Sequence, residues 1–233
     1  MGEDIRKKAG KRLAHYTVTQ GACSDGKHIW MIFERKKPHR CKVVKLDART
    51  HDIVKVSGAL KLGHGNDCCI QDGILYVTHS GKSKTIHRVN AETLTKVKDG
   101  DIKVKGVKAG GFNGITCYGE GFALKKMGGQ LIYIVDKNFR YRRKIKLSKK
   151  FSVSQGITYH DGKFYRGSSQ LQSKKNFVSI YTADGKYIEC KHYANKCELE
   201  GVFFVKDKLF VTLYKKSKKG KKKKYEAFIK ELK

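Results

Sequence analysis

Five short stretches of this chain open with a side chain that can bind a ligand or carry a proton, and they recur at nearly even spacing. They read Gln20-Gly21-Ala22-Cys23, Asn66-Asp67-Cys68-Cys69, Asn113-Gly114-Ile115-Thr116, Gln155-Gly156-Ile157-Thr158 and Glu200-Gly201-Val202-Phe203, with leading residues 46, 47, 42 and 45 positions apart. Brought together, they make a ring of four carboxamides and one carboxylate. Carboxamides both donate and accept, so such a ring can fix the orientation of a ligand. Glu200 is the acid of the set and can hold a cation or act as an acid/base. Asn66 is followed by Asp67 where the other four have glycine, and is preceded by Gly63-His64-Gly65, so His64, Asn66 and Asp67 form one compact polar cluster. The competing reading is structural: carboxamides that serve only buried backbone groups or water, and a histidine that is a hydrogen-bonded surface residue.

A period in this range marks a supersecondary unit that cannot bury its faces alone. The first unit shows how it is built. Ala22-Cys23-Ser24 and His28 to Phe33 are strands around Asp25-Gly26-Lys27, Lys42 to Leu46 is a third, and Asp52 to Val56 a fourth. Short β-branched and aromatic runs broken by Asp-Gly are hairpin signals, and they return at Asp72-Gly73 and Asp161-Gly162. Five units of four antiparallel strands predict an all-β, five-bladed propeller, with a β-sandwich or open solenoid as the other architecture. The expected blades are 20–60, 61–106, 107–150, 151–195 and 196–233, the last completed by a strand from residues 11–19. Residues 1–10 read as a flexible basic tail. Ring closure by that strand would make removal of residues 1–18 costly to thermal stability.

In a propeller, the residues ahead of each innermost strand rim one mouth of the channel, and the loops between second and third strands emerge beside them. Those loops are Glu34–Arg40, His79–Lys84, Lys125–Gly129, Ser168–Lys175 and the run Lys215–Lys224, and each carries at least two cations. Cations draw an anion in and amides orient it. The ligand-binding candidates are therefore Gln20, Asn66, Asp67, Asn113, Gln155, Arg35, His79, Lys82, Lys84, Lys126, Gln170 and Tyr214, the last as a ring on which a base can stack. Trp30 and Phe33 read as inter-blade core. Cys68-Cys69 falls on columns of small packing residues, and Gly81-Lys82-Ser83 lacks the earlier glycine and the helix of a phosphate loop.

The 233 residues carry 52 Lys and Arg against 21 Asp and Glu, a formal charge of +31. The run Lys215–Lys224 supplies eight of these charges, so most of the basicity belongs to the repeat body. A field of that sign favours phosphate-bearing partners. No stretch approaches the length of a membrane span, and the first residues do not read as a signal peptide. Seven cysteines without a Cys-x-x-Cys pair suggest reduced thiols in the cytoplasm and no metal site. A monomer without cofactor or membrane association is expected.

Thr19-Gln20-Gly21, the Lys-Leu-Asp ending at Asp47 with Thr50 after it, and Glu198-Leu199-Glu200 together resemble the five-bladed glutaminyl-peptide cyclotransferases. The resemblance spans most of the chain, but where that family tends to carry Glu-Gly this sequence has Asn66-Asp67. It implies an enzyme acting on a peptide or small molecule, with Glu200, and beside it His64, as acid/base candidates. The residues themselves point first to binding of an anionic small molecule, nucleotide or nucleic acid at the cationic mouth. An interaction scaffold without a small ligand stays open as a third reading.

Overall fold

The computed structural model describes residues 3–232, apart from 37, 80, 82, 109, 127, 152, 171–174, 195–196 and 220–221. The chain forms five antiparallel sheets in sequence order. The first holds β1 (Val18–Ser24), β2 (His28–Lys36), β3 (His39–Asp47) and β4 (Ile53–Val56). The second holds β5 (Cys68–Gln71), β6 (Ile74–Thr78), β7 (Thr85–Asn90) and β8 (Lys96–Lys103), and the third β9 (Phe112–Tyr118), β10 (Gly121–Lys126), β11 (Leu131–Val135) and β12 (Tyr141–Lys146). The fourth holds β13 (Ser154–His160), β14 (Lys163–Gln170), β15 (Lys175–Thr182) and β16 (Tyr187–Ala194). The fifth has three strands, β17 (Glu198–Val205), β18 (Lys208–Lys219) and β19 (Lys222–Leu232).

Strands β1, β5, β9, β13 and β17 neighbour one another in a closed circuit, so the sheets are blades of a five-bladed propeller with these five innermost. The apolar residues divide the same way. Five buried clusters fill the five gaps between blades: Trp30, Val43 and Val77 between blades 1 and 2, Phe112, Phe122 and Phe139 between 2 and 3, and Ile134, Phe164 and Tyr181 between 3 and 4. Val178, Leu213 and Phe228 lie between blades 4 and 5, and Phe33, Leu46 and Phe210 between 5 and 1. Each face of a blade supplies half a core, which is why no blade is stable alone.

The ends of the chain differ from expectation. The last blade has no strand from residues 11–19, and the segment read as a tail is ordered. Ile5–Ala9 is a short helix, α1, continued by a tight 3-10 turn over Gly10–Leu13. The side chain of Asp4 accepts from the backbone of Arg6 and caps the helix, and accepts from Ala227 N at 3.0 Å on β19. Arg6 donates to the carbonyls of Tyr16, Tyr225 and Leu13 at 3.1, 2.7 and 3.1 Å. Ile5, Ala9 and Leu13 are buried in the cluster between blades 5 and 1. A helix thus covers the open edge of β19 in place of a fourth strand, which serves the same need to protect unpaired backbone. The run Lys215–Lys224, read as a loop, is instead mostly strand: β18 and β19 pair from Leu209 opposite Leu232 out to Lys219 opposite Lys222. Among the described residues no helix is long and apolar enough to cross a membrane.

Leu13→Ala removes a fully buried side chain from this wedge and should cost about 2–5 kcal/mol; Asp4→Ala leaves the Ala227 amide unpaired and should cost about 1–3 kcal/mol. Urea titrations superimposing on the parent for both variants would show that the N-terminal helix does not seal the ring.

Candidate functional site

The repeated polar residues sit on irregularities that the strands share. The β1–β2 register slips between Thr19 and Ala22, β13–β14 between Ser154 and Ile157, and β17–β18 between Leu199 and Gly201. In the third blade Lys125 pairs with Gly114 and Lys126 with Phe112, which leaves Asn113 out. Gln20, Asn113, Gln155 and Glu200 are therefore all on bulges. A bulge releases one residue from the ladder and re-aims its side chain, which is why bulges collect beside sites. Antiparallel pairing brings the end of each second strand to the same level: Glu34 faces Val18, Lys126 faces Phe112, Ser168 faces Ser154 and Tyr214 faces Glu198. The amide ring and the second-to-third connections thus share one end of the propeller.

Asp67 stands at the centre. Its Oδ2 accepts from the backbone N–H of Ile157 at 3.0 Å and of Ile115 at 3.2 Å, joining blade 2 to blades 4 and 3. Gly21, Gly156 and Gly201 make room for it. A Cβ on Gly21 would collide with Asp67 Oδ1, and one on Gly156 or Gly201 would come within 3.0 Å of the next glycine's Cα. Asp67 Oδ1 is buried without a partner. Burial pushes this carboxyl up to about 7, against the pull of the two amides and of Lys125.

Near Asp67 lies buried Lys125, which the sequence placed in the exposed collar, and next to it buried Arg166, which reading the sequence missed. Lys125 Nζ donates to Asn113 Oδ1 at 2.9 Å and to Ser154 Oγ; Arg166 Nε donates to the same Ser154 Oγ at 2.9 Å. Arg166 also donates to the Phe151 carbonyl at 3.1 Å, the Tyr181 phenol interacts with its guanidinium, and its Nη1 is buried without a hydrogen-bond partner. Burial, and then the Arg166 charge, push Lys125 far below the usual lysine range, while Asp67 opposes them. A signal for Arg166 existed. It pairs with Ile157 in the column that holds Met31, Val77, Leu124 and Val211 in the other blades, so a charge there breaks an apolar column.

The carboxamides are partly spent on neighbouring blades. Asn113 Nδ2 donates to the Ser154 carbonyl at 3.0 Å and Gln155 Nε2 to Glu198 Oε1 at 3.3 Å. Gln20, Asn113 and Glu200 are buried, Gln155 and Asn66 half-buried, and Asn66 Oδ1 is buried without a partner. His64 lies near blade 1, where Glu34 Oε1 takes N–H donors from His64 Nδ1 at 2.7 Å and His39 Nδ1 at 3.0 Å. Burial alone would raise Glu34, but the two histidines outweigh it and hold the carboxyl below its usual value. His79 Nδ1 meets His87 Nε2 at 2.9 Å, and His87 Nδ1 meets Asp101 at 2.7 Å. Of the collar, Arg35 and Lys126 are half-buried and Lys84 donates to the Val107 carbonyl at 2.6 Å. Lys82 and the Gln170 side chain lie outside the described residues. Tyr214 is corrected: its ring is buried, stacked on Tyr225 at 6.3 Å, and offers no face to a base. Among the described residues no three His, Cys, Asp or Glu side chains converge as metal ligands.

No protein-family model matches the chain, and no curated protein matches it in sequence. Solved structures do. A Myxococcus xanthus glutaminyl cyclase is 12% identical with a TM-score of 0.51, over 76% of this chain and 73% of its own. The β-xylosidase RS223 is 9% identical with a TM-score of 0.65, over 100% and 95%. A Xanthomonas citri GH43_1 enzyme complexed with xylotriose is 6% identical with a TM-score of 0.64, over 98% and 90%. These identities establish a shared fold, and the likeness to glutaminyl cyclases read from short motifs holds at that level.

The raised Asp67 gives a pH test. Its folded carboxyl binds a proton more tightly than the unfolded one, so its contribution is complete below about pH 4 and is lost as pH rises through about 7. Stability of Asp67→Asn measured by urea from pH 4 to 8 should therefore gain on the parent as pH rises. A constant difference across that range would contradict the assignment.

Proposed function

We propose that the amide-ring end of the propeller binds an anionic ligand, a phosphate-bearing small molecule or nucleotide, and that Lys125 and Arg166 are the charges that hold it. The observation carrying this reading is the pair of buried cations that share one hydroxyl oxygen, Ser154 Oγ, with Arg166 Nη1 left unpartnered. Two like charges on one acceptor raise each other's cost, and burial amplifies it. Asp67 is the near counter-charge, and its own proton affinity is high. An anion entering through the carboxamides would neutralise the excess, take the free guanidinium N–H donors, and be oriented by Asn66 and Gln155. Phosphate oxygens match the planar fork of an arginine well. The net charge of +31 adds long-range attraction.

Arg166→Leu is the direct test, because the equivalent positions of the other blades are apolar and the substituted blade should fold. Calorimetric titration with inorganic phosphate and with ATP at low salt should give saturable binding to the parent, weakening steeply as salt rises. The variant should lose at least tenfold in affinity with its melting temperature kept or raised. Equal affinity in parent and variant, or no binding by either, contradicts the proposal.

A second reading, catalysis at the same ring, draws on one observation: Asp67 is a buried carboxyl poised near neutrality with one oxygen unpartnered, as acid/base chemistry requires. Glu200 is the other acid of the ring. Under this reading Glu200→Gln abolishes cyclisation of an N-terminal glutaminyl peptide while leaving the fold intact, and full activity in that variant removes Glu200 from it.

A further inference from the structure

Four of the seven cysteines lie at the opposite end of the axis from the amide ring. A cavity of about 410 Å³ opens there, and Cys23, Cys68, Cys69 and Cys117 all line it, with Thr116 and Thr158 among their neighbours. All four are free thiols. Alternation along β5 turns the adjacent Cys68 and Cys69 to opposite faces. Cys68 joins the cluster between blades 1 and 2, where its Sγ stands 3.4 Å from Cys23 Sγ. Cys69 joins the cluster between blades 2 and 3, and Cys117 packs against that cluster with its Sγ donating to the Ile70 carbonyl at 3.2 Å. Packing explains small residues in these columns. It does not explain why sulfur meets sulfur across two successive interfaces, each time between innermost strands and each time against the same cavity.

We propose that this cavity is a thiol-oxidation site, in which a hydroperoxide converts Cys23 with Cys68 and Cys69 with Cys117 into two disulfides that tie blades 1, 2 and 3 together at the hub. Cys117 is the entry point. It is half-exposed, and the neighbouring Cys69 thiol holds it below the usual value, whereas burial raises Cys69 and Cys23. The thiolate is the reacting form. Cys117 sulfur attacks one peroxide oxygen, the O–O bond breaks, and the alcohol leaves with a proton, giving a sulfenic acid. Cys69 sulfur then attacks Cys117 sulfur, the S–O bond breaks, and water leaves with the Cys69 proton. Two thiols and one hydroperoxide thus become one disulfide, one alcohol and one water, with two electrons passing from the sulfurs to the peroxide. The Cys23–Cys68 pair does not depend on Cys117: both residues line the cavity, and they consume a second equivalent by the same two steps, more slowly because burial raises Cys23. The anion reading uses none of these four cysteines, so the fate of the site is independent of it.

The test uses the reduced full-length chain, treated with a few equivalents of hydrogen peroxide at neutral pH and then denatured under alkylating conditions. Free thiols should fall from seven to three, and peptide mapping without reductant should give the links 23–68 and 69–117. Cys23→Ser should lose two thiols and keep the 69–117 link; Cys117→Ser should lose two and keep 23–68. Seven surviving thiols, a 68–69 link, a map lacking either expected link, or oxidation ending as sulfinic acid on Cys117 each overturns the proposal.

Discussion

The carboxylate of Asp67 on two backbone amides is the contact from which the rest of this molecule is organised. Five innermost strands converge on an axis, and each arrives with backbone groups that no water reaches freely. A buried N–H left unpaired costs about 1–3 kcal/mol, so something polar has to stand between the strands. One blade supplies it and the glycines of three others leave the space. The same choice puts an acid in a dry place, which raises its proton affinity and calls for cations nearby. Lys125 and Arg166 answer that call from blades 3 and 4, through Ser154 and Asn113. Charge at the hub is thus a consequence of closing the ring, and the proposed anion site rests on the excess of cation over anion there.

The two ends of the axis have separate chemistries. The end where the innermost strands begin carries bulges, carboxamides, the buried cations and the histidines around Glu34 and His87. The far end, where those strands finish, is lined by thiols and threonines. Asp67 lies between the two, so the proposed ligand at one end and the proposed modification at the other would reach the same strands without sharing a site. The N-terminal helix acts at the rim, where it covers the edge of β19 and fills the wedge beside blade 1.

The repeat was legible because a polar residue occupies one slot of every unit, on a bulge in four of them, and a slot that recurs at 42 to 47 residues survives loss of sequence similarity. The strands were legible through their Asp-Gly turns. The helix Ile5–Ala9 was not: five residues give too little periodicity to reveal a face, and its partners lie some 220 positions away on β19. Lys125 was read as part of an exposed collar because a lysine beside a glycine-rich loop is normally solvated. Its strand is buried on both faces, so alternation carried no information there. Arg166 could have been found by comparing columns across blades. Tyr214 misled because adjacency to a lysine run says nothing about which way a ring turns; Tyr225 stacks on it.

The proposed anion site stands or falls with the surplus of buried positive charge near Asp67. A crystal structure of the protein soaked at low salt with a tungstate or phosphate ion, contoured at the axis, asks this most directly. The account places anion density within hydrogen-bonding distance of Arg166 Nη1, in front of Asn66 and Gln155. A hub in which Arg166 is fully satisfied by protein and water, with the anion absent or held only by surface lysines, would contradict it.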